Sequence, residues 1–340
     1  MGIRVIPGLV SVIFPVYGNF DIEKLLISVD SVKRQKEVDF EIVVSEVNKE
    51  PRLKGLLDPG INYVFNKTDP EEQLKGFNQG RVRNLGVKSS SGEYVYHNEA
   101  DIIFESPFFL KECKVLMDLN PFSSYACPHK KRIILDNVEL FKKKAREEGL
   151  NKALNALSHN NNFFTVMDGI PRYFKIINEN YWLSSYAIIA RNKSELNKKA
   201  NEALQNPKVQ EGFELSLHFG GILFRRRDFD LLGGFSERFF RWGSVDLDFH
   251  WKLDQCFCFE SFPKKKDFVV IHMDHLRGYF SEETFAENER IRSLREKSGI
   301  VKAVIDDLNC YYKNHWIKRN LKKLIFPVYL RSRIRLIRPN

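Results

Sequence analysis

Cysteine is scarce. Five stand in 340 residues, at 113, 127, 256, 258 and 310. This odd, scattered set excludes a disulfide framework and points to a reducing compartment. None forms a C-x-x-C pair, so the usual spacing of a structural zinc site is missing. Long apolar runs are missing too: no stretch reaches the roughly 18 residues of a membrane span. Val5–Phe20 is uncharged, but Pro7, Gly8, Pro15 and Gly18 interrupt it. It reads as a buried first strand, not a targeting segment. No Gly-rich phosphate loop follows that strand, Pro15-Val16-Tyr17-Gly18 being a poor one. That counts against a dehydrogenase and against a nucleotidyltransferase. Internal repeats and low-complexity tracts are absent.

Acidic residues are absent from one region. Residues 308–340 hold nine Lys and Arg and no Asp or Glu, whereas the whole chain carries a net charge of +10. The body is therefore close to neutral and the tail strongly basic. A broad nucleic-acid-binding surface is excluded on that distribution, and no nucleic-acid partner is expected. The chain does have material for a core, with 28 Phe and 43% hydrophobic residues. Its length allows one large domain or two fused ones.

The first 110 residues alternate strand and helix. Leu9–Phe14 reads as a β-branched strand ending at Pro15. Ile22, Leu25, Leu26, Val29 and Val32 recur at helical spacing after a cap at Asn19 or Asp21. Phe40–Val44, Ile61–Phe65 and Glu93–His97 read as further strands, and Asn78–Lys88 as a helix. This βαβ order implies a parallel sheet covered by helices, with ligands beyond the carboxyl ends of its strands. A charged helix is expected over about 137–158 and another over about 194–205. From Leu217 the pattern tightens. Gly220-Gly221 opens a strand, Gly233-Gly234 closes a short helix, a helix begins near Asp246, and Asp267–His272 is a strand.

Three features carry chemistry. Glu99-Ala100-Asp101 follows a strand, and alternating residues of an extended segment point to one side. Two hard oxygen ligands there suit Mg²⁺ or Mn²⁺ on a diphosphate; a solvated turn is the plainer reading. Asp246 and Asp248 stand at a helix start after Trp242-Gly243. They fit either simple capping or a general base, with Trp242 as a flat face for a sugar ring. His272 and His275 follow a strand and are either structural or the completion of a metal site.

The order and spacing of these segments resemble the GT-A nucleotide-sugar glycosyltransferases. The first part is similar to glycosyltransferase family 2, through Phe14-Pro15-Val16-Tyr17 and Arg83-Asn84-Leu85-Gly86, with Glu99-Ala100-Asp101 in place of D-x-D. The later part is similar to the galactosyltransferase C-terminal module, through Phe219-Gly220-Gly221, Gly233-Gly234-Phe235 and Trp242-Gly243-Ser244-Val245-Asp246. The likeness covers about 9–125 and 216–280. It implies an α/β GT-A fold: a Rossmann-like, mainly parallel central sheet flanked by helices, with a helical insertion and a basic C-terminal tail. On it, 1–120 is the nucleotide-sugar-binding half, 121–215 an insertion shaping the pocket, 216–290 the acceptor and catalytic half, and 291–340 a basic amphipathic segment.

The resemblance also implies roles. Glu99, Asp101 and His275, in preference to His272, would hold Mn²⁺ or Mg²⁺. Asp246 matches the catalytic base. Pro15, Val16, Tyr17, Phe77 and Ala100 would lie along the nucleotide sugar, Glu46 would recognise the base, and Arg81 and Arg83 would reach diphosphate or ribose. Trp242 would border donor and acceptor, with Gly221, Gly243 and Asp248 on the acceptor side. The family's Glu before the base is Val245 here, so acceptor identity does not transfer. The expected activity is metal-dependent, inverting transfer of a hexose or N-acetylhexosamine from a nucleotide sugar, with uridine diphosphate as carrier. The acceptor is a glycan or lipid-linked glycan in surface polysaccharide synthesis, such as capsule or lipopolysaccharide. A sugar- or membrane-binding protein that has lost turnover is the alternative.

In the tail, Trp316, Ile317, Leu321, Leu324, Ile325 and Phe326 recur at three and four among basic residues as far as Pro327. Such a helix lies either on an anionic membrane surface or packed on the body. The first reading places the protein in the cytoplasm, peripheral to the inner face of the cell membrane.

Overall fold

A computed structural model describes residues 4–119, 124–133, 135–159, 165–167, 170–172, 174–177, 180–183, 188–190, 220–260, 268–275 and 281–337. The helix expected over 194–205, and Phe219, lie outside them. Strand β1 (Ile6–Tyr17) is followed by α1 (Ile22–Lys33), β2 (Phe40–Asn48), β3 (Asn62–Lys67), α2 (Pro70–Lys75), α3 (Gln79–Lys88), β4 (Gly92–His97) and β5 (Ile102–Phe104). Next come α4 (Phe109–Leu119), β6 (Ser124–Ala126), β7 (His129–Ile133), α5 (Leu135–Glu148) and α6 (Leu150–His159). Five short strands follow: β8 (Thr165–Met167), β9 (Ile170–Arg172), β10 (Phe174–Ile177), β11 (Asn180–Leu183) and β12 (Ile188–Ala190). The last part comprises β13 (Ile222–Arg225), α7 (Arg226–Leu231), α8 (Val245–Cys256), β14 (Cys258–Glu260), β15 (Val269–Met273), α9 (Glu282–Ser298), α10 (Ile300–Tyr311) and α11 (Trp316–Ile337).

The central sheet has seven strands in the order β14-β6-β13-β4-β1-β2-β3. Strands β4, β1, β2 and β3 are parallel, β13 runs antiparallel to both β4 and β6, and β14 is parallel to β6. This is the mainly parallel α/β sheet flanked by helices that the GT-A resemblance implies. A second sheet, β5-β15-β7, lies apart from it in hydrogen bonding. Strand β1 explains the layering. Val10, Val12, Phe14 and Val16 enter one buried apolar cluster, and Ile13 enters another with Val43 and Val95. A strand apolar on both faces must be covered on both faces.

Helix α3 covers one of them closely. A Cβ at Gly86 would come within 2.3 Å of Ile13 Cγ2 and 2.8 Å of Ser45 Oγ, so the R-N-x-G glycine is what lets the helix reach the sheet. Its Asn84 does a second job. The amide donates to Phe235 O and Glu237 Oε1, each at 2.9 Å, and Asn84 Oδ1 accepts from Phe235 N at 2.9 Å. One buried side chain thus ties α3 to the Gly233-Gly234-Phe235 turn. Both glycines there have positive φ, 73° and 70°. Asn84→Leu leaves those backbone groups without partners and should cost about 2–3 kcal/mol, measured by urea unfolding. A change below about 0.5 kcal/mol in that titration would mean the clamp is dispensable.

Three expected boundaries are corrected. β1 does not stop at Pro15 but runs to Tyr17. Its pairing with β4 ends at Ile13–His97, so Pro15 lies past the ladder on that side, where a missing N–H costs nothing. The single helix expected over 137–158 is two, α5 and α6, divided at Gly149 with φ 86°. The tail helix does not end at Pro327 but contains it. An internal proline costs about 3 kcal/mol, and the burial of Phe326 and Leu330 on either side offsets it. Among the described residues no helix is long and apolar enough to cross a membrane.

Candidate active site

The carboxyl ends of β1 and β4, the turn after β15 and the Trp242 loop enclose a cavity of about 680 Å³. Its floor is set by β1, whose Pro15, Val16 and Tyr17 line it together with Phe77 and Ala100. The Tyr17 and Phe77 rings stack at 4.0 Å and 17°. The loop beyond Tyr17 also lines the cavity through Gly18, Asn19 and Phe20. It is fixed from β2 and the turn after it: Asn48 Nδ2 and Arg52 Nη1 donate to Gly18 O at 3.0 and 2.7 Å.

The opposite wall holds three candidate metal ligands. Asp101 Oδ2 lies 3.2 Å from His272 Nε2 and 3.0 Å from His275 Nε2. The three candidate ligand atoms lie within 4.8 Å of one another. Sheet pairing brings them there: Ile102 of β5 opposes His272 of β15, and Met273 N donates to Asp101 O at 2.9 Å. Helix α1 pins both sides. Ser28 Oγ donates to Ala100 O at 3.0 Å, and buried Lys24 Nζ donates to Asp274 O at 2.7 Å and Met273 O at 3.3 Å. His272 Nδ1 is 3.9 Å from Asp274 Oδ1, a nearby charge beyond hydrogen-bond distance. Burial works against ionisation of Asp101, yet His272 and His275 hold its carboxyl well below the usual range. One carboxylate oxygen and two imidazole nitrogens at this spacing fit a single divalent ion. The mixed donor set suits Mn²⁺ better than the all-oxygen preference of Mg²⁺.

Lys24 is the part of this wall that the sequence did not mark, since nothing in α1 signals a contact some 250 residues away. Its ammonium fixes the turn carrying both histidines. Lys24→Met should weaken Mn²⁺ binding about tenfold, read by titration calorimetry, while the unfolding midpoint shows whether the fold persists. An unchanged Mn²⁺ affinity would remove this positioning role.

Glu99 does not join the ligand group. Residues 99–101 form a turn rather than an extended segment, with Ile102 N bonded to Glu99 O at 3.2 Å, so the two carboxylates diverge. Glu99 turns to Arg83, 3.9 Å away, and to Gly220, where a Cβ would come within 2.5 Å of its carboxylate. Burial and then the neighbouring Asp101 and Asp246 push Glu99 up to about 7, with Arg83 working against them.

Arg83 is buried and lines the cavity. Its guanidinium pairs with Asp246 Oδ1 and lies 5.0 Å from the Phe235 ring centroid. Asp246 stands in the first turn of α8, about a quarter exposed. The loop before it is strained and held. Gly243 and Ser244 have φ 112° and 64°, and Asn288 Nδ2 donates to the carbonyls of Phe240 and Trp242 at 2.9 and 3.2 Å. Trp242 lines the cavity and stacks on Phe285 at 5.7 Å.

Several expected site residues are placed elsewhere. Glu46 is fully buried, accepts from Tyr63 OH at 2.6 Å and Arg52 N at 3.1 Å, and is not part of the cavity lining, so it shapes the turn after β2. Arg81 pairs with Asp69 and Glu72 and donates to Lys67 O, tying α2 to the end of β3. Asp248 is fully buried, held by Arg295 at 2.6 and 3.2 Å, and is not part of the cavity lining. Gly221 is buried and, like Gly243, is not part of the cavity lining.

No family model matches the chain, and no curated protein matches it. Among solved structures it is similar to S. aureus TarS residues 1–349 at 15% identity and a TM-score of 0.46, covering 89% of this chain and 72% of that one. It is similar to a second S. aureus TarS structure at 15% identity and a TM-score of 0.45, covering 89% of this chain and 43% of that one. A likeness this distant carries no functional argument, which leaves function to the geometry of the site.

Proposed function

We propose that the protein is a metal-dependent, inverting glycosyltransferase that takes a uridine diphosphate sugar as donor and a hydroxyl of a glycan or lipid-linked glycan as acceptor. The observation that carries the reading is the meeting of Asp101, His272, His275 and Arg83 around one aromatic-walled cavity, with Asp246 paired to Arg83 just outside its lining. Asp101, His272 and His275 would hold a divalent ion. When bound, such an ion neutralises the charge that gathers on a departing diphosphate.

The chain's own groups supply the rest. The stacked Tyr17 and Phe77 offer a flat apolar edge to a nucleobase. Trp242 offers a face for the sugar ring. Arg83 holds Oδ1 of Asp246 and so fixes the carboxylate at the helix start. Its other oxygen takes the proton from the acceptor hydroxyl. The hydroxyl oxygen bonds to the anomeric carbon as the bond to the diphosphate oxygen breaks, and configuration inverts. Val245, buried where the family carries Glu, offers no group to an acceptor hydroxyl, so acceptor choice rests on other parts of the wall.

The test is a thermal-shift series with uridine diphosphate, Mn²⁺ and both together. Two ligands that contact each other when bound, and so raise each other's affinity, stabilise more together than the sum of each alone. The reading predicts that excess for the wild type and its loss in Asp101→Asn. Simple additivity in the wild type would contradict it.

A further inference from the structure

Helix α11 presents two apolar faces. Phe326 is fully buried and Leu330 nearly so, both within the core cluster that also holds Phe257. These residues anchor the helix to the body. Ile317, Leu321, Leu324 and Val328 are exposed at 74%, 54%, 72% and 68%. At about 100° per residue, their 4-3-4 spacing puts these four within an arc of roughly 60°, on the side opposite Phe326. Trp316, exposed at 67%, borders the stripe near the start of the helix. Lys318 follows on one flank, about 60° beyond Leu321, and Lys323 lies further round the other side, about 100° beyond Leu324; no acidic residue occurs between 308 and 340.

A helix that only covers the body needs one apolar face. The second face requires a second apolar phase, and the surrounding charge indicates which. We infer that the Ile317-Leu321-Leu324-Val328 face of α11 docks on the surface of an anionic lipid bilayer. The four side chains enter the boundary between headgroups and acyl chains, while Lys318 and Lys323 extend along the interface to lipid phosphates. A second copy of the chain is the poorer occupant. Pairing two stripes brings two wholly basic tails together, whereas anionic lipid complements them. Because Phe326 and Leu330 fix the helix to the core, the bilayer is met by a docked helix and not by a free tail. The inference goes beyond the transferase reading and does not rest on it. If both hold, the site works beside a membrane, where lipid-linked acceptors reside.

Co-sedimentation of the full chain with phosphatidylcholine vesicles, with and without about one-third phosphatidylglycerol, provides the test. The wild type should pellet with the anionic vesicles and largely remain in solution with the neutral ones. Leu321→Glu/Leu324→Glu should reduce anionic partitioning by about tenfold or more with an unchanged unfolding midpoint, because both positions are exposed. If that variant fails to fold, Lys318→Glu/Lys323→Glu tests the flanks in the same assay, with the same expected direction. Undiminished partitioning in a folded variant overturns the proposal. So does light scattering that shows the wild type as a dimer, broken by the Leu substitutions, with no vesicle binding. Uridine diphosphate binding is expected to be unaffected by any of these changes, which keeps a failure here separate from a failure of the active-site reading.

Discussion

Asp246→Asn should lower sugar transfer by about three orders of magnitude, while affinity for the nucleotide sugar changes less than about threefold. The split follows from position. Asp246 is outside the cavity lining and meets it through Arg83, so a donor seated against Tyr17, Phe77 and the ligand group does not depend on the charge of residue 246. The acceptor proton does. The amide keeps the shape of the carboxylate but cannot take that proton. Some stability should also be lost, because buried Arg83 loses its nearest counter-charge, though the Asn oxygen can still accept its hydrogen bond and the partial exposure of residue 246 limits the loss. Steady-state transfer, donor binding and an unfolding midpoint measured on the same preparation separate these effects. Transfer within about tenfold of wild type would refute the assignment of Asp246 as the base.

His272→Ala and His275→Ala should each weaken Mn²⁺ binding by about a hundredfold or more, and Glu99→Gln by less than about tenfold. The sequence alone ranks these residues differently, pairing Glu99 with Asp101 and setting His275 above His272. The geometry groups both histidines, and not Glu99, with Asp101. Both imidazoles lie within 3.2 Å of Asp101 Oδ2, whereas the Glu99 carboxylate faces Arg83 and Gly220. Electron paramagnetic resonance of free Mn²⁺ gives the affinities directly. If Glu99→Gln proves as damaging as either histidine variant, the ligand set is wrong.

Much of the parallel half of the fold was legible, because its signals are local. The apolar run of β1, the Asp21 cap whose side chain accepts from Lys24 N at 3.2 Å, and the Asn78 cap of α3 all lie where periodicity and capping chemistry place them. One rule was applied to the wrong backbone. Residues two apart share a face on a strand, but Glu99 and Asp101 occupy a turn and separate. On a helix, residues two apart point to nearly opposite sides. Asp246 faces Arg83 at the cavity, while Asp248 enters a buried network with Arg295, itself 2.7 Å from Asp307. The periodicity of α8 contained that outcome.

Other misses have no local signal. Glu46 looks like a base-recognising carboxylate after a strand until the donors of Tyr63 and Arg52 are seen around it. Lys24 looks like a surface residue until β15 comes alongside α1. Pro327 reads as a helix stop because its cost is local, while the burial of Phe326 and Leu330 that offsets it depends on the core.

The proposed chemistry requires one divalent ion held in the cavity by Asp101, His272 and His275. Crystals grown with Mn²⁺ and uridine diphosphate, and measured for anomalous scattering, address it most directly. A single manganese peak is expected about 2.0–2.3 Å from a carboxylate oxygen of Asp101 and from both Nε2 atoms, in contact with the diphosphate. Nucleotide bound in the cavity with manganese elsewhere, or with none at those three residues, would contradict it.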